Sequence, residues 1–198
     1  MMMIMKILNS FKLYYHSVKY FSLKQIFYHI GYFFKRKLYY ISPKLVIKIF
    51  SNKYAKINKI NFTKNDLVYY KYDLNDLLDN KFTFLNKKIN FGAKVIWHLN
   101  EINNGTRLWK LNLNYHEYLI PLSNQKKVNI EYIENHIKEW WKQNVFGDKH
   151  YYKDCWNSYA ISIRIITWIK IYMLIGDKFS SDFKQSFLSS LNMQTNFL

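Results

Sequence analysis

The chain has 198 residues, of which 49% are hydrophobic and 20% aromatic, with 5 glycines and 2 prolines; this composition excludes a disordered, collagen-like or turn-dense all-β protein. Its single cysteine, Cys155, excludes an internal disulfide. Thirty Lys and Arg against 13 Asp and Glu give a net charge of +17, which suggests a polyanionic partner: nucleic acid, anionic lipid or an acidic polysaccharide. The alternative is compositional drift, since Lys, Asn, Ile and Tyr are abundant throughout.

Residues 1–56 are predicted to form a basic, aromatic, helical arm. Ser22 and Gln25 have the spacing of a capping box, and Ser42-Pro43 is a typical start for a further short helix. Between them lies an apolar stripe with helical spacing, formed by Leu23, Ile26, Phe27, Ile30 and Phe34. We expect this stripe to dock on the rest of the protein. The alternative is a helix lying on an anionic membrane surface.

Residues 57–198 are predicted to form one mainly helical domain. A polar connection with a short helix at Leu74–Leu78 is followed by a β-hairpin between Lys81 and Trp97, with its turn at Asn86–Lys88. Four longer helices follow, at about 107–122, 130–144, 157–175 (ended by Gly176) and from Ser180 or Ser181 to 198. The last has no stop signal, so we expect the chain to be cut within a larger domain. We expect no signal peptide or transmembrane helix, because Lys6, Lys12 and Arg164 interrupt the apolar runs.

No nucleotide-binding, phosphate-binding, nucleophile-elbow or metal-ligand motif is present in the sequence, and we predict no metal and no cofactor. The segment Leu108–Leu119 is unusual instead. Trp109, Asn112 and His116 fall on one face of its predicted helix, and Asn114 falls on another. An aromatic ring beside amide and imidazole groups suits a sugar, but the same pattern also fits an ordinary amphipathic helix.

The segment from Cys155 to Lys170 is the second unusual one. It contains Arg164, one of only three arginines among 30 basic residues, inside an apolar helix. A buried arginine is costly unless it is paired or faces a polar groove, so one interpretation is a groove for carboxylates or sulfates. The other is an internal ion pair with Glu117 or Asp154.

These segments resemble the heparinase II/III family of polysaccharide lyases. Residues 82–97 resemble the family's Phe-rich lead-in, and residues 108–119 resemble its LW-x-x-NL-[HN]-Y-x-[DE]-YL helix. Residues 156–170 resemble its W-x-x-Y-x-x-S-x-R-x-x-x-W-I-K segment, and the arm resembles the start of some members. This chain departs from the family where many members carry a histidine, at Asn114, and where prolines give way to Ser158 and Ala160.

The resemblance implies an α/α toroid followed by a β-sandwich, with an acidic polysaccharide between them that is cleaved by β-elimination. It implies a substrate-binding set formed by Trp109, Asn112, Asn114, Tyr115, His116, Tyr159, Ser162 and Arg164. The family's catalytic Asn, Tyr and His have no match here, so we assign no catalytic residue and expect this chain alone to be inactive. The cytoplasm is the default location, and the family suggests the periplasm.

Two other classes of function remain open. One is a non-catalytic carbohydrate-binding or membrane-associated structural protein. The other is a nucleic-acid binder, which we disfavour because arginine is scarce and no recognition motif is present.

Overall fold

The computed structural model describes residues 19–43, 45, 72–97, 105–146 and 155–198. The chain divides into two compact units, Met1–Val46 and Ile47–Leu198. The described residues are mainly helical, with one small antiparallel sheet. The predicted class, mainly α with a short hairpin, is therefore confirmed.

The first unit contains helix α1, Leu23–Ile41. The predicted capping box is confirmed: the main-chain N–H of Gln25 donates to Ser22 Oγ, and the N–H of Ser22 donates to Gln25 Oε1 at 2.8 Å. The helix ends before Ser42, whose N–H donates to the carbonyl oxygen of Leu38. Most of the short helix predicted after Pro43 lies outside the described residues.

The first described helix of the second unit is α2, Leu74–Leu78, as predicted, with Asp73 as its N-cap. A hairpin of β1, Lys81–Phe84, and β2, Lys87–Asn90, follows. The turn lies at Leu85-Asn86, one residue before its predicted position. Both turn residues have positive φ, 53° and 58°, which matches the two-residue turn that fits the twist of paired strands.

The single helix predicted over residues 107–122 is wrong. Helix α3, Arg107–Tyr115, ends at His116, and a separate short helix, α4, spans Leu119–Ser123. The break occurs because His116 has a left-handed backbone, with φ 62° and ψ 14°. A left-handed residue cannot continue a right-handed helix, so the chain changes direction there.

The remaining helices lie close to their predicted bounds. Helix α5 spans Ile130–Gln143, α6 spans Ser158–Ile175 and α7 spans Ser181–Phe197. Gly176 follows α6 as expected, but its φ of −65° is right-handed. Glycine is needed there for space, because a Cβ atom would lie 2.4 Å from the carbonyl oxygen of Tyr172.

Helix α6 is long and apolar enough to cross a membrane by length and composition. The core helix of a soluble protein meets the same criterion, and Ile161, Trp168 and Ile171 of α6 are fully buried in this unit. The predicted absence of a transmembrane segment stays a prediction.

The core of the second unit is aromatic. Five tryptophans are at most 1% exposed: Trp97, Trp109, Trp140, Trp156 and Trp168. Trp140 meets Trp168 edge to face with 5.7 Å between ring centroids, and Trp168 stacks on Phe187 at 4.9 Å. Such pairs each add about 0.5–1.5 kcal/mol beyond the burial of their area. This core fixes the positions of the polar groups that lie among the rings.

Candidate functional site

The two unusual segments meet in a buried polar cluster, which we define as Asn114, His116, Trp140, Arg164, Trp168 and Gln194. Helix α6 brings Arg164 to the end of α3, and α7 brings Gln194. All six side chains are at most 1% exposed. The cluster therefore belongs to the core, and its members are held by one another.

Arg164 does not face an open groove, so its predicted contact with a substrate is corrected. Its Nε donates to Gln194 Oε1 at 2.6 Å, Nη1 to the carbonyl oxygen of Asn114 at 3.0 Å and Nη2 to that of Cys155 at 2.9 Å. These three partners are neutral. No ion pair with Glu117 is present among the described residues, and Asp154 lies outside them. The planar guanidinium is needed because it reaches three acceptors at once.

Arg164 keeps its charge in the core because aromatic rings and carbonyl oxygens surround it. Its guanidinium carbon lies 4.3 Å from the ring centroid of Trp140 and 5.7 Å from that of Trp156. Burial lowers the pKa of Arg164 to about 10, which still leaves it protonated at neutral pH. A cation over the face of a tryptophan is stabilised by the ring quadrupole, more so when water is excluded.

The amide of Asn114 is bonded within the core, which corrects a second predicted contact. Its Oδ1 accepts from Trp140 Nε1 at 2.8 Å and from the Cys155 thiol at 3.1 Å, and its Nδ2 donates to the carbonyl oxygen of Lys110. The side chain is fully buried. The amide therefore bridges α3, α5 and the chain before α6.

His116 is also buried, which corrects its predicted contact with substrate. Its Nδ1 accepts from Trp168 Nε1 at 3.0 Å, which requires the proton of the neutral ring to be on Nε2. Nε2 is buried and has no hydrogen-bond partner. Burial lowers the pKa of His116 well below its usual value, and His136 and Arg164 lower it further. The imidazole is therefore neutral and serves as an acceptor in the core.

His136 is a second buried histidine, to which the sequence assigned no role. Its Nε2 lies 2.9 Å from the hydroxyl of Tyr118, which itself donates to the carbonyl oxygen of Leu113. His136 Nε2 must then carry the proton that the tyrosine oxygen accepts. Burial lowers the pKa of His136 to about 3. Its position three residues after Ile133 and four before Trp140 was the signal that it faces the core.

Trp109 supports the hairpin and offers no free ring face to a sugar, which corrects a further prediction. Its Nε1 donates to the carbonyl oxygen of Lys87 at 2.8 Å, and its ring lies 5.0 Å from that of Phe84 between centroids. The side chain is 1% exposed. Its packing follows from the turn at Leu85-Asn86, which places β2 beside α3.

Of the other predicted residues, Asn112, Ser162 and Tyr159 lie nearer the surface, whereas Tyr115 is only 4% exposed. Asn112 and Ser162 are partly exposed but donate to carbonyl oxygens of their own helices, at Leu108 and Tyr159. Tyr159 is 65% exposed, and its ring lies 5.9 Å from that of Tyr115. Burial, with contributions from Tyr159 and Glu117, raises the pKa of Tyr115 to about 12. The hydroxyl of Tyr115 therefore stays protonated at neutral pH, and almost none of the basic phenolate form is present to accept a proton.

A groove of about 520 Å³ lies along α5 and α7, on a part of the surface that the sequence did not indicate. It is lined by Trp141, Asn144, Val145, Phe146, Trp156, Gln185, Ser186, Ser189, Ser190 and Met193. The segment 147–154, which joins Phe146 to Cys155, lies outside the described residues. The described part of the lining combines aromatic rings with hydroxyl and amide groups and contains no charged side chain.

Two residues of this groove have unsatisfied polar atoms. Asn144 Oδ1, an acceptor, and Trp156 Nε1, a donor, are buried and have no hydrogen-bond partner. A buried polar group without a partner costs about 1–3 kcal/mol, so such atoms often mark a site that a ligand or water completes.

Within the described ranges, no group of three or more His, Cys, Asp or Glu side chains could hold a metal ion. No protein-family profile, no curated protein and no solved structure matches this chain.

Proposed function

We propose that this chain is the front part of a polysaccharide lyase of the heparinase II/III type, and that its groove binds the polysaccharide. In this proposal α3 to α7 are the first helices of an α/α toroid. The observation that carries the proposal is the groove itself. It places the partly exposed ring of Trp141 beside serine and glutamine side chains, the combination that suits the apolar faces and hydroxyl groups of a sugar.

The charge of the chain supports an acidic polysaccharide over a neutral one. The net charge of +17 attracts polyanions over distances of about 10 Å at moderate salt, although the groove lining is uncharged. Hydroxyl groups would then be recognised inside the groove, and the acidic groups of the polymer would interact with basic residues elsewhere on the chain.

The two family-like segments have a structural role in this proposal. Arg164 and Asn114 hold α6 against α3, and Trp140 joins α5 to both through Asn114 and Arg164. The packing keeps α5 in place, and α5 forms one side of the groove. The motif residues therefore act on substrate indirectly, by positioning helices.

We expect this chain to bind the polysaccharide but not to cleave it. β-Elimination requires the uronic carboxylate to be neutralised while a base removes the neighbouring proton, and these contributions act as a unit. The resemblance supplies no counterpart of the catalytic Asn, Tyr and His in this sequence, and Tyr115 has a raised pKa. The lyase reaction would then need residues that this chain does not contain.

Binding can be tested with the full chain and acidic oligosaccharides, using matched neutral oligosaccharides for comparison. Ser186→Trp places a large side chain in the groove, and we expect it to weaken binding at least tenfold. Asn135→Trp, at an exposed position of α5, is the control for an added tryptophan. If Ser186→Trp binds the oligosaccharide as tightly as Asn135→Trp does, the sugar binds outside the groove. Equal binding of acidic and neutral oligosaccharides would favour a general carbohydrate-binding protein.

Turnover can be tested by the ultraviolet absorbance of the unsaturated uronic product, across several acidic polysaccharides. We expect none from the purified chain. Reproducible product formation would contradict the expectation of inactivity, because the groups for elimination would then lie within this chain.

A further inference from the structure

Helix α1 has an exposed apolar stripe along its whole length. Its six members recur at helical spacing of four, three, four, four and three residues: Leu23, Phe27, Ile30, Phe34, Leu38 and Ile41. They are 75%, 71%, 47%, 66%, 47% and 76% exposed. A helix of 19 residues is about 28 Å long, so the stripe is a large continuous apolar surface. Such a surface in water is unfavourable and marks an interaction site.

The other face of α1 is basic and polar. Lys24, Gln25, His29 and Lys35 lie there, together with Tyr28 and Tyr32. Positions 35–37 are three successive basic residues near the end of the helix; of these, Lys37 lies on the apolar side, with its ammonium 5.7 Å from the ring centroid of Phe33. Helix α1 contains no aspartate or glutamate. This distribution, apolar on one side and cationic with tyrosines on the other, is typical of helices that lie in a membrane interface.

The charge around α1 identifies the partner. The first 65 residues contain 13 Lys and Arg and no Asp or Glu. A second copy of the chain would bring the same positive charge to the stripe and be repelled, whereas a bilayer with anionic headgroups would attract it. Each basic residue near such a surface adds to this attraction.

We propose that α1 lies parallel to the surface of an anionic lipid bilayer, with its apolar stripe among the upper parts of the acyl chains and its basic face toward the headgroups. A spanning orientation is disfavoured because Lys24, His29 and Lys35 would enter the hydrocarbon layer. Among the described helices only α6 is apolar enough to span, and α1 is not. The proposal goes beyond the proposed sugar binding and does not depend on the groove.

The test is flotation of the full chain with phosphatidylcholine vesicles that contain or lack phosphatidylglycerol. We expect flotation with the anionic vesicles, little with the neutral ones, and a large loss when salt is raised from about 0.1 M to about 1 M, which shortens the screening length from about 10 Å to about 3 Å. Equal flotation with both vesicles, or none with either, would overturn the proposal.

A pair of neighbouring variants separates the stripe from the polar face. Phe27 and Tyr28 are 71% and 69% exposed, so neither substitution by serine removes buried packing. We expect Phe27→Ser to weaken vesicle binding about tenfold, because a phenylalanine is lost from the apolar phase, and Tyr28→Ser to weaken it much less. Equal losses for the two would argue against the stripe as the membrane-facing surface.

Analytical sedimentation tests whether a second copy of the chain, instead of lipid, covers the apolar stripe. A concentration-dependent dimer that Phe27→Ser abolishes, with no flotation of the wild-type chain, would show that the stripe pairs with a second copy and would overturn the proposal. Binding of acidic oligosaccharide should be unchanged in Phe27→Ser, so failure of the membrane proposal and failure of the groove proposal give different results.

Discussion

Arg164 Nη1 donates a hydrogen bond of 3.0 Å to the main-chain carbonyl oxygen of Asn114, which is 50 residues away in sequence. The bond joins the middle of α6 to the last turn of α3. Both residues are fully buried. The end of α3 therefore has its carbonyl group satisfied by a side chain of another helix, and neither helix can shift without leaving a charge or a carbonyl unpaired.

Arg164→Lys should destabilise the fold. A lysine carries one ammonium group where the guanidinium reaches Gln194 Oε1 and the carbonyl oxygens of Asn114 and Cys155, so at least one buried acceptor loses its donor. We expect a loss of about 2–4 kcal/mol in the free energy of unfolding, measured by denaturant titration. Arg107→Lys, at an exposed position, is the control. If the two variants are equally stable, the hydrogen bonds of Arg164 contribute little.

Stability should fall in mild acid because of the buried histidines. The folded pKa of His136, about 3, lies below its ordinary value of 6.5, and that of His116 is lowered as well. The unfolded state therefore binds more protons between these values. The stabilisation is complete above pH 6.5 and is lost as the pH falls, by about 1.4 kcal/mol per pH unit for each histidine.

Unfolding titrations between about pH 7.5 and pH 5 would measure this dependence. His136→Gln should reduce the slope, and His29→Gln, at an exposed position of α1, should leave it unchanged. A stability that does not change over this range would contradict the assignment of buried neutral imidazoles.

Leu85→Asn should stabilise the hairpin. Leu85 is 57% exposed and has a φ of 53°, a backbone region that costs a leucine about 1 kcal/mol and that asparagine tolerates better. We expect a gain of about 0.5–1 kcal/mol, seen as a higher melting temperature. Leu78→Asn, at a helical position that is 42% exposed, is the control for loss of the side chain. If both variants raise the melting temperature, the cause is the replacement of an exposed leucine by a polar side chain and not the backbone conformation at Leu85.

Glu134→Ala should loosen the start of α7. The N-cap of this helix, Ser180, makes no side-chain cap of its own; its N–H and hydroxyl donate to the carboxylate of Glu134 on α5, at 2.7 and 2.9 Å. Burial raises the pKa of Glu134, but the hydrogen bonds from Ser180 and Lys138 outweigh that effect and lower it overall. We expect a loss of about 1–2 kcal/mol, as for other caps. Glu131→Ala, at an exposed position on the same helix, should change stability little.

The elements formed by short-range interactions were predictable from the sequence. The capping box of Ser22 and Gln25, the cap at Asn157 and the bounds of α5, α6 and α7 depend on residues within a few positions of one another. Helical spacing of apolar residues and cap chemistry are local, so the amino-acid order alone determined these elements.

The break at His116 and the positions of the candidate site residues were decided by the tertiary structure. Spacing placed Trp109, Asn112 and His116 on one face of a single helix, but the helix ends at the left-handed backbone of His116. Contacts with Lys87 and Trp168 bury Trp109 and His116. Lys87 is 22 residues from Trp109, and Trp168 is 52 residues from His116, so no local sequence pattern could predict these contacts.

The role of Arg164 was also decided by the tertiary structure. The sequence singled it out as an arginine in an apolar helix and left two interpretations, a polar groove or a carboxylate pair. The partners are instead two carbonyl oxygens and an amide oxygen, brought together by α3, α7 and the chain before α6. Sequence composition determined that this cation needed partners, because burying it unpaired is too costly. Only the packing of distant helices decided which atoms those partners are.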